Sequence, residues 1–307
     1  MRTAFLKTLE ELAGKDPRIT LVVGDLGFTV IEPFREKYPK QFVNAGVAEQ
    51  NMTGLAAGMA MAGRIVFTYS IANFPTLRCI EQIRNDCCYH NANVKVVSVG
   101  GGYAYGALGS THHATEDLAM MRAIPGMCVV APGDPAEADA ATRAVAAHPG
   151  TCYLRLGKAG EPAVHAGPIN FGLGKAITLL EGGDITIIST GGMLHSCAAA
   201  AVELEKAGIK ARVLSMHTVK PLDIDAVLKA AKETRGIMTV EEHSATGGLG
   251  SAVAECLAQS GLHTRLKIAG LPDAFCREVG GQEYLRNRAG LSVESLVAIG
   301  SNLAGKS

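Results

Sequence analysis

The sequence predicts an α/β fold of two tandem domains with mostly parallel sheets, and three features carry that expectation. Short apolar runs alternate with helix-length stretches up to about residue 156. The pattern then loosens through Gly157, Gly160, Pro162, Gly167, Pro168, Gly172 and Gly174, and a second alternation starts at Ile185. Punctuation of that kind marks a boundary between compact units. The expected domains are residues 1–165 and 184–307, with 166–183 as the linker. A chain of 307 residues with 48% hydrophobic content has the length and apolar material for two cores.

In the first unit, residues 3–14 carry Phe5, Leu6, Leu9 and Leu12 on one helical face, ended by Gly14. Residues 19–25 form a buried strand opening into a loop, 31–38 a short helix and 42–44 a second strand. A helix of small residues runs to about Met61, followed by a strand at 65–69, a helix at 77–88 and a strand at 94–99. After a long loop, a strand at 127–132, an Ala-rich crossover helix at 135–147 and a strand at 152–156 complete the unit. In the second unit, strands at 185–190, 211–215, 236–241 and 264–268 alternate with helices at 196–207, 223–233 and 251–260. Uninterrupted apolar strands between helices indicate a parallel sheet covered on both faces.

Composition narrows the function. The 29 basic and 29 acidic residues balance, Trp is absent and aromatics are 5%, so neither a nucleic-acid footprint nor attraction to an anionic membrane is expected. The eight cysteines form no CxxC pair and lie mostly in apolar stretches, which points to neither a zinc site nor a disulfide framework. The amphipathic start is charged throughout, unlike a signal peptide, and no apolar run reaches spanning length. A cytoplasmic protein with reduced thiols is the expectation.

Candidate chemistry gathers at strand ends, where parallel sheets bind ligands. The helix after Val47 has no bulky outer face and must pack against protein on most sides. Glu49 stands at its head, where free N–H groups and the helix dipole favour a negative charge. A buried carboxylate there needs a partner, whereas a solvent-facing one is an ordinary cap. Asp25, in the loop after the first strand, fits either a ligand contact or a turn cap, and no GxGxxG fingerprint accompanies it. The loop 100–117 holds five glycines and the adjacent His112 and His113, which point in different directions, so one at most faces a given ligand. Arg155 and Lys158, at the end of the strand at 152–156, suit a phosphate or sulfonate, or simply a solvated strand end. Gly247, Gly248 and Gly250, between a strand and a helix, fit an anion at the helix N-terminus or close packing.

Together these stretches carry a resemblance. Its markers are Gly46-Val47-Ala48-Glu49-Gln50, the run Gly-Ser-Thr-His-His-Ala-Thr-Glu-Asp at 109–117, and Ala131-Pro132-Gly133-Asp134-Pro135. In the second unit they are Val219-Lys220-Pro221-Leu222-Asp223, Glu241-Glu242-His243 with Gly247-Gly248-Leu249-Gly250, and Gly270-Leu271-Pro272-Asp273. Over essentially its whole length the chain resembles the C-terminal subunit of a split, thiamine diphosphate-dependent transketolase, a pyrimidine-binding domain followed by the family's C-terminal domain. The same architecture occurs in 1-deoxy-xylulose-5-phosphate synthase and in β subunits of 2-oxo acid dehydrogenases.

The resemblance implies a transferase that moves a two-carbon ketol unit from a ketose, expected to be phosphorylated, to an aldose. It makes Glu49 the carboxylate that activates the aminopyrimidine of thiamine diphosphate and Phe74 the aromatic that stacks on that ring. Ile71 and Leu77 stand where transketolases often carry further aromatics, which implies a more aliphatic pocket. Asp25 and Thr29 match the loop facing cofactor and substrate, His112 a histidine that meets substrate hydroxyls, and Arg155, with Lys158 nearby, a phosphate-binding cation. Ordinary transketolases carry Asp-Gly where this chain has Leu108-Gly109, and an alkyl group cannot reward the same hydroxyl, so an altered donor is expected. The Gly-Asp-Gly motif and downstream Asn that hold the diphosphate through Mg²⁺ are not found. The resemblance therefore implies an N-terminal partner that supplies that site, and a homodimer of this chain within an α2β2 assembly. The competing readings are a 2-oxo acid or synthase-type thiamine enzyme, and a non-catalytic binding protein that kept the fold.

Overall fold

The structure is a computed structural model and describes residues 1–305. Its strands are β1 (Ile19–Val23), β2 (Phe42–Asn44), β3 (Ile65–Ile71), β4 (Val94–Val99), β5 (Cys128–Val130) and β6 (Cys152–Leu156), then β7 (Ile177–Leu180), β8 (Ile185–Ser189), β9 (Ala211–Ser215), β10 (Thr218–Lys220), β11 (Gly236–Ser244) and β12 (Arg265–Leu271). They form a seven-stranded sheet in the order β10-β5-β6-β4-β3-β1-β2 and a five-stranded sheet in the order β12-β11-β8-β9-β7. All pairings are parallel except β10 on β5 and β7 on β9, which close one edge of each sheet.

The central strands are buried along their whole length, as β4 is at all six positions, because helices cover both faces. On one face of the first sheet, Phe5 and Leu9 of helix Arg2–Ala13 pack on Phe67, Tyr69 and Val97. On the other, Met52, Ala56 and Ala57 of helix Glu49–Met61 pack on Val22 and Val66. The second sheet is sandwiched likewise, with Cys197 and Leu204 against Ile185 and Ile187 on one side and Val253 and Leu257 against Ile188 and Ile237 on the other.

The structure corrects several element boundaries. The helix expected at 77–88 is broken into Phe74–Leu77, Ile80–Gln82 and a wider-turned Ile83–Cys88, with Pro75 in the first turn. The loop after β4 ends in a helix, Asp117–Ala123. β7 lies inside 166–183, and β10 follows β9 yet joins the first sheet. Beyond β12 come two unforeseen helices, Gln282–Arg288 and Val293–Leu303. Edge strands of three or four residues are too short to display a period, which is why the pattern does not reveal them.

The crossing from β9 to β10 contains His217, which is fully buried and stacked on Phe171 at 3.9 Å. Burial pushes its imidazole down from 6.5 to about 4. The folded chain thus refuses a proton that the unfolded chain accepts. The stability held by neutral His217 is complete above about pH 6.5 and is lost as pH falls toward 4, a swing of about 3 kcal/mol. We predict that His217→Gln flattens the pH dependence of denaturant unfolding across that window. An unchanged acid slope would show that other groups control it.

Candidate active site

The strand ends of the first sheet converge on Glu49. It is the first residue of its helix and only 4% exposed. No bulky group crowds it from the end of β1, since Gly24 offers no side chain and a Cβ there would meet Glu49 Cγ at 3.8 Å. Its carboxylate accepts from Arg78 Nη1 at 3.1 Å. That guanidinium in turn lies over the ring of Phe74, 4.2 Å from the centroid. Phe74 opens the short helix after β3, and the His112 ring meets it edge-on at 5.2 Å. Glu49, Phe74 and His112 are therefore brought together, with Arg78 as the residue that pattern reading misses. Its only signal is the four-residue spacing from Phe74, which puts both on one helical face.

The rest of the expected set frames this cluster. Ile71 ends β3, half-buried, and Leu77 is 47% exposed. Asn73 is 8% exposed and donates to the Thr111 carbonyl, fixing the His112 loop, while its own Oδ1 has no partner. Asp25 is exposed and locked to Asn44, whose side-chain N–H donates to Asp25 Oδ1 at 2.8 Å. Asp25 and Thr29 both sit at positive φ, 53° and 70°, and for a β-branched threonine this is strained backbone of the kind stored at working sites. Leu108 ends a turn just before His112 and is 54% exposed. His113 points away, buried against Tyr103, and burial holds its imidazole below the usual value. Beside the loop opens a cleft of about 470 Å³ lined by Leu77, Ser110, His113, Asp273, Phe275 and Cys276.

The two cations at the end of β6 separate. Lys158 is exposed, its ammonium 5.1 Å from the Tyr105 ring. Arg155 is 5% exposed and committed inside. Its Nε donates to Asp117 Oδ2 at 2.8 Å, and its Nη2 donates to the carbonyls of Ala114 and Glu242 at 2.8 and 2.9 Å. It ties the His112 loop to the second sheet.

The glycine-rich turn before helix Leu249–Ser260 does hold an anion, but the chain's own. Glu241 accepts from the backbone N–H groups of Leu249 and Gly250, each at 2.7 Å. Gly248 is required because a Cβ there would collide with that carboxylate. Burial pushes the Glu241 carboxyl up, opposed by His243 and the two N–H donors.

At the other ends of the strands, Cys128 and Cys152 are register partners, and with His148 they bring ligand atoms within 4.8 Å of one another. The fully buried Lys95 ammonium sits 3.7 Å from Cys152 Sγ and donates to the carbonyls of His148 and Gly150. A fixed cation beside the sulfur suits a thiolate and repels a metal ion.

Comparison with known proteins agrees with this architecture. Residues 1–160 match the family described as "Transketolase, pyrimidine binding domain" and residues 174–296 "Transketolase, C-terminal domain". The chain is 43% identical over 274 residues to an apulose-4-phosphate transketolase subunit of Phocaeicola vulgatus, covering 89% of this chain and 87% of that one. It is 41% identical over 300 residues to a 6-deoxy-6-sulfo-D-fructose transketolase subunit of a Clostridium species, covering 97% and 92%. A solved split-gene transketolase, described as an inactive beta4 tetramer, superimposes with a TM-score of 0.90 at 37% identity, over 99% of this chain and 97% of that one. Among the described residues no helix is long and apolar enough to cross a membrane.

Proposed function

The chain belongs to the transketolase family, and we propose that it is the C-terminal subunit of a two-polypeptide enzyme that moves a two-carbon ketol unit from an anionic ketose to an aldose. The observation that carries this reading is Glu49, a carboxylate 4% exposed at the head of a helix, joined to the Phe74 ring through one guanidinium. Those residues fit the aminopyrimidine of thiamine diphosphate. Glu49 would accept from a ring nitrogen, Phe74 offers a flat apolar face, and the orphaned Asn73 Oδ1 is a buried acceptor beside them. Bound there, the cofactor would supply the nucleophilic carbon that takes up and releases the ketol unit.

This chain's own part is to hold and move protons and to select the sugar. Glu49 holds the ring-nitrogen proton that activation requires. Ile71 and Leu77 would wall the ring, and Asp25 and Thr29 would shape the rim. His112 meets substrate hydroxyls, and Lys158 is the cation free to meet a phosphate or sulfonate. The named substrates of the two relatives, a sugar phosphate and a sulfonated sugar, agree with such an anion. The diphosphate and its Mg²⁺ are assigned to an N-terminal partner, because the Gly-Asp-Gly motif and downstream Asn that hold them in the family are not found in this chain. A homodimer of this chain within an α2β2 assembly would complete two such sites.

The test is co-expression with an N-terminal subunit encoded nearby, followed by a donor and acceptor screen with thiamine diphosphate and Mg²⁺. Ketol transfer that needs both polypeptides supports the proposal. Decarboxylation of pyruvate without ketol transfer would favour a synthase-type enzyme instead, a class in which the Desulfitobacterium hafniense 1-deoxy-D-xylulose-5-phosphate synthase is 35% identical over 92% of this chain and 43% of its own length. Leu108 supplies a finer prediction. Leu108→Asp is expected to raise kcat/KM for xylulose 5-phosphate relative to the preferred donor by about tenfold or more. An unchanged ratio removes Leu108 from the selecting position.

A further inference from the structure

Arg78 makes two contacts with one flat group. Its Nη1 donates to Glu49 Oε2 at 3.1 Å, and its guanidinium carbon lies 4.2 Å from the centroid of the Phe74 ring. These are the contacts asked of an aminopyrimidine held there: an N–H directed at the carboxylate and a group seated over the phenyl ring. A guanidinium is planar, carries its donors in its plane and stacks on aromatic faces, so it imitates such a ring more closely than an ammonium does. We propose that Arg78 fills the aminopyrimidine seat while the chain is empty and must swing out when the cofactor enters. The proposal rests on the reading of Glu49 and Phe74 as that seat.

The surroundings allow both positions. The Glu49 side chain is 5% exposed, whereas that of Arg78 is 50% exposed. The carboxylate is nearly shut off from water and gains from a partner, whereas the arginine head can return to solvent by side-chain rotation alone. Glu49 therefore stays paired at every stage, first with Arg78 and then with the ring. The occupied seat costs cofactor affinity, since the ring must displace a guanidinium that already satisfies both contacts. Half-exposed pairs and stacked cations are each weak, so the cost is about fivefold in Kd.

The experiment uses the assembled pair of polypeptides and thiamine diphosphate with Mg²⁺, read by calorimetry and by rapid-mixing binding kinetics. Arg78→Met should tighten Kd about fivefold, with the gain in the observed association rate, because rotation of a half-exposed side chain is a fast pre-equilibrium that lowers the competent fraction. Arg78→Lys, which keeps the charge without the flat fork, should fall between. An Arg78→Met pair that binds no more tightly, or more weakly, overturns the proposal and makes Arg78 a spectator or a direct ligand. Should methionine disturb assembly, Arg78→Gln makes the same comparison. Glu49→Ala in the same titration separates the two levels. If it leaves Kd unchanged, the seat itself is wrong; if it weakens binding while Arg78→Met does not strengthen it, only the role of Arg78 fails.

Discussion

Glu49→Gln is expected to lower kcat of the assembled enzyme by about 10²–10⁴-fold while the chain stays folded. The amide keeps the shape of the carboxylate and still accepts a hydrogen bond, but it cannot hold a ring-nitrogen proton by charge. Folding should tolerate the change, because a buried charge becomes a buried neutral group and the abandoned Arg78 is already 50% exposed. Thr53 bonds the backbone carbonyl of Glu49 at 2.9 Å and not its side chain, so the helix start is untouched. Steady-state kinetics with saturating cofactor, beside a thermal melt, checks both halves. A kcat within twofold of the parent would remove the proton role. A collapse of the melt would make Glu49 a structural residue. Neither result is expected from a carboxylate whose side-chain partner is one half-exposed arginine.

What the pattern reveals, and what it hides, follows from the range of the interactions. β4, β6 and helix Pro135–Ala147 have the boundaries that the sequence predicts, because a strand buried on both faces and an Ala-rich crossover announce themselves locally. Helix Glu49–Met61 is legible for the same reason. β10 is not, since three residues gain their strand character only by lying antiparallel on β5, far away in sequence. The adjacent histidines are predicted to diverge, and they do, His112 toward Phe74 and His113 toward Tyr103. Arg78 shows only its spacing from Phe74 locally, because its other contact is with Glu49, 29 residues earlier and on another helix. The anion held by Gly248 and its neighbours is half legible: the turn points to a negative charge, but nothing local says that Glu241 supplies it. Arg155 is legible in principle. It lies within a strand buried at all five positions, so an apolar run covered on both faces already leaves its guanidinium no free side.

That buried placement predicts a large loss of stability. Arg155→Met should destabilise the chain by about 3–5 kcal/mol, because removing one partner of a buried ion pair leaves the other charge stranded. Asp117 is 2% exposed and its Oδ1 has no partner even now, so it would keep only the Tyr153 hydroxyl, which donates to Oδ2 at 2.5 Å. The carbonyls of Ala114 and Glu242 would also lose their donor, one from the His112 loop and one from β11 of the second sheet. The backbone is built round this side chain: a Cβ at Gly101 would come within 2.5 Å of Arg155 Nε. Denaturant unfolding should show the loss, and Asp117→Leu added to Arg155→Met should recover much of it, since removing both charges leaves no stranded ion. Activity offers the opposing outcome. If Arg155→Met leaves the unfolding free energy within about 1 kcal/mol of the parent and instead raises KM for phosphorylated donors alone, then Arg155 reaches substrate after all and its bonds to Asp117 and Glu242 are secondary. A stability loss with recovery in the double variant assigns it to the joint between the His112 loop and the second sheet. In that position it would govern how firmly the His112 loop is held against the second sheet.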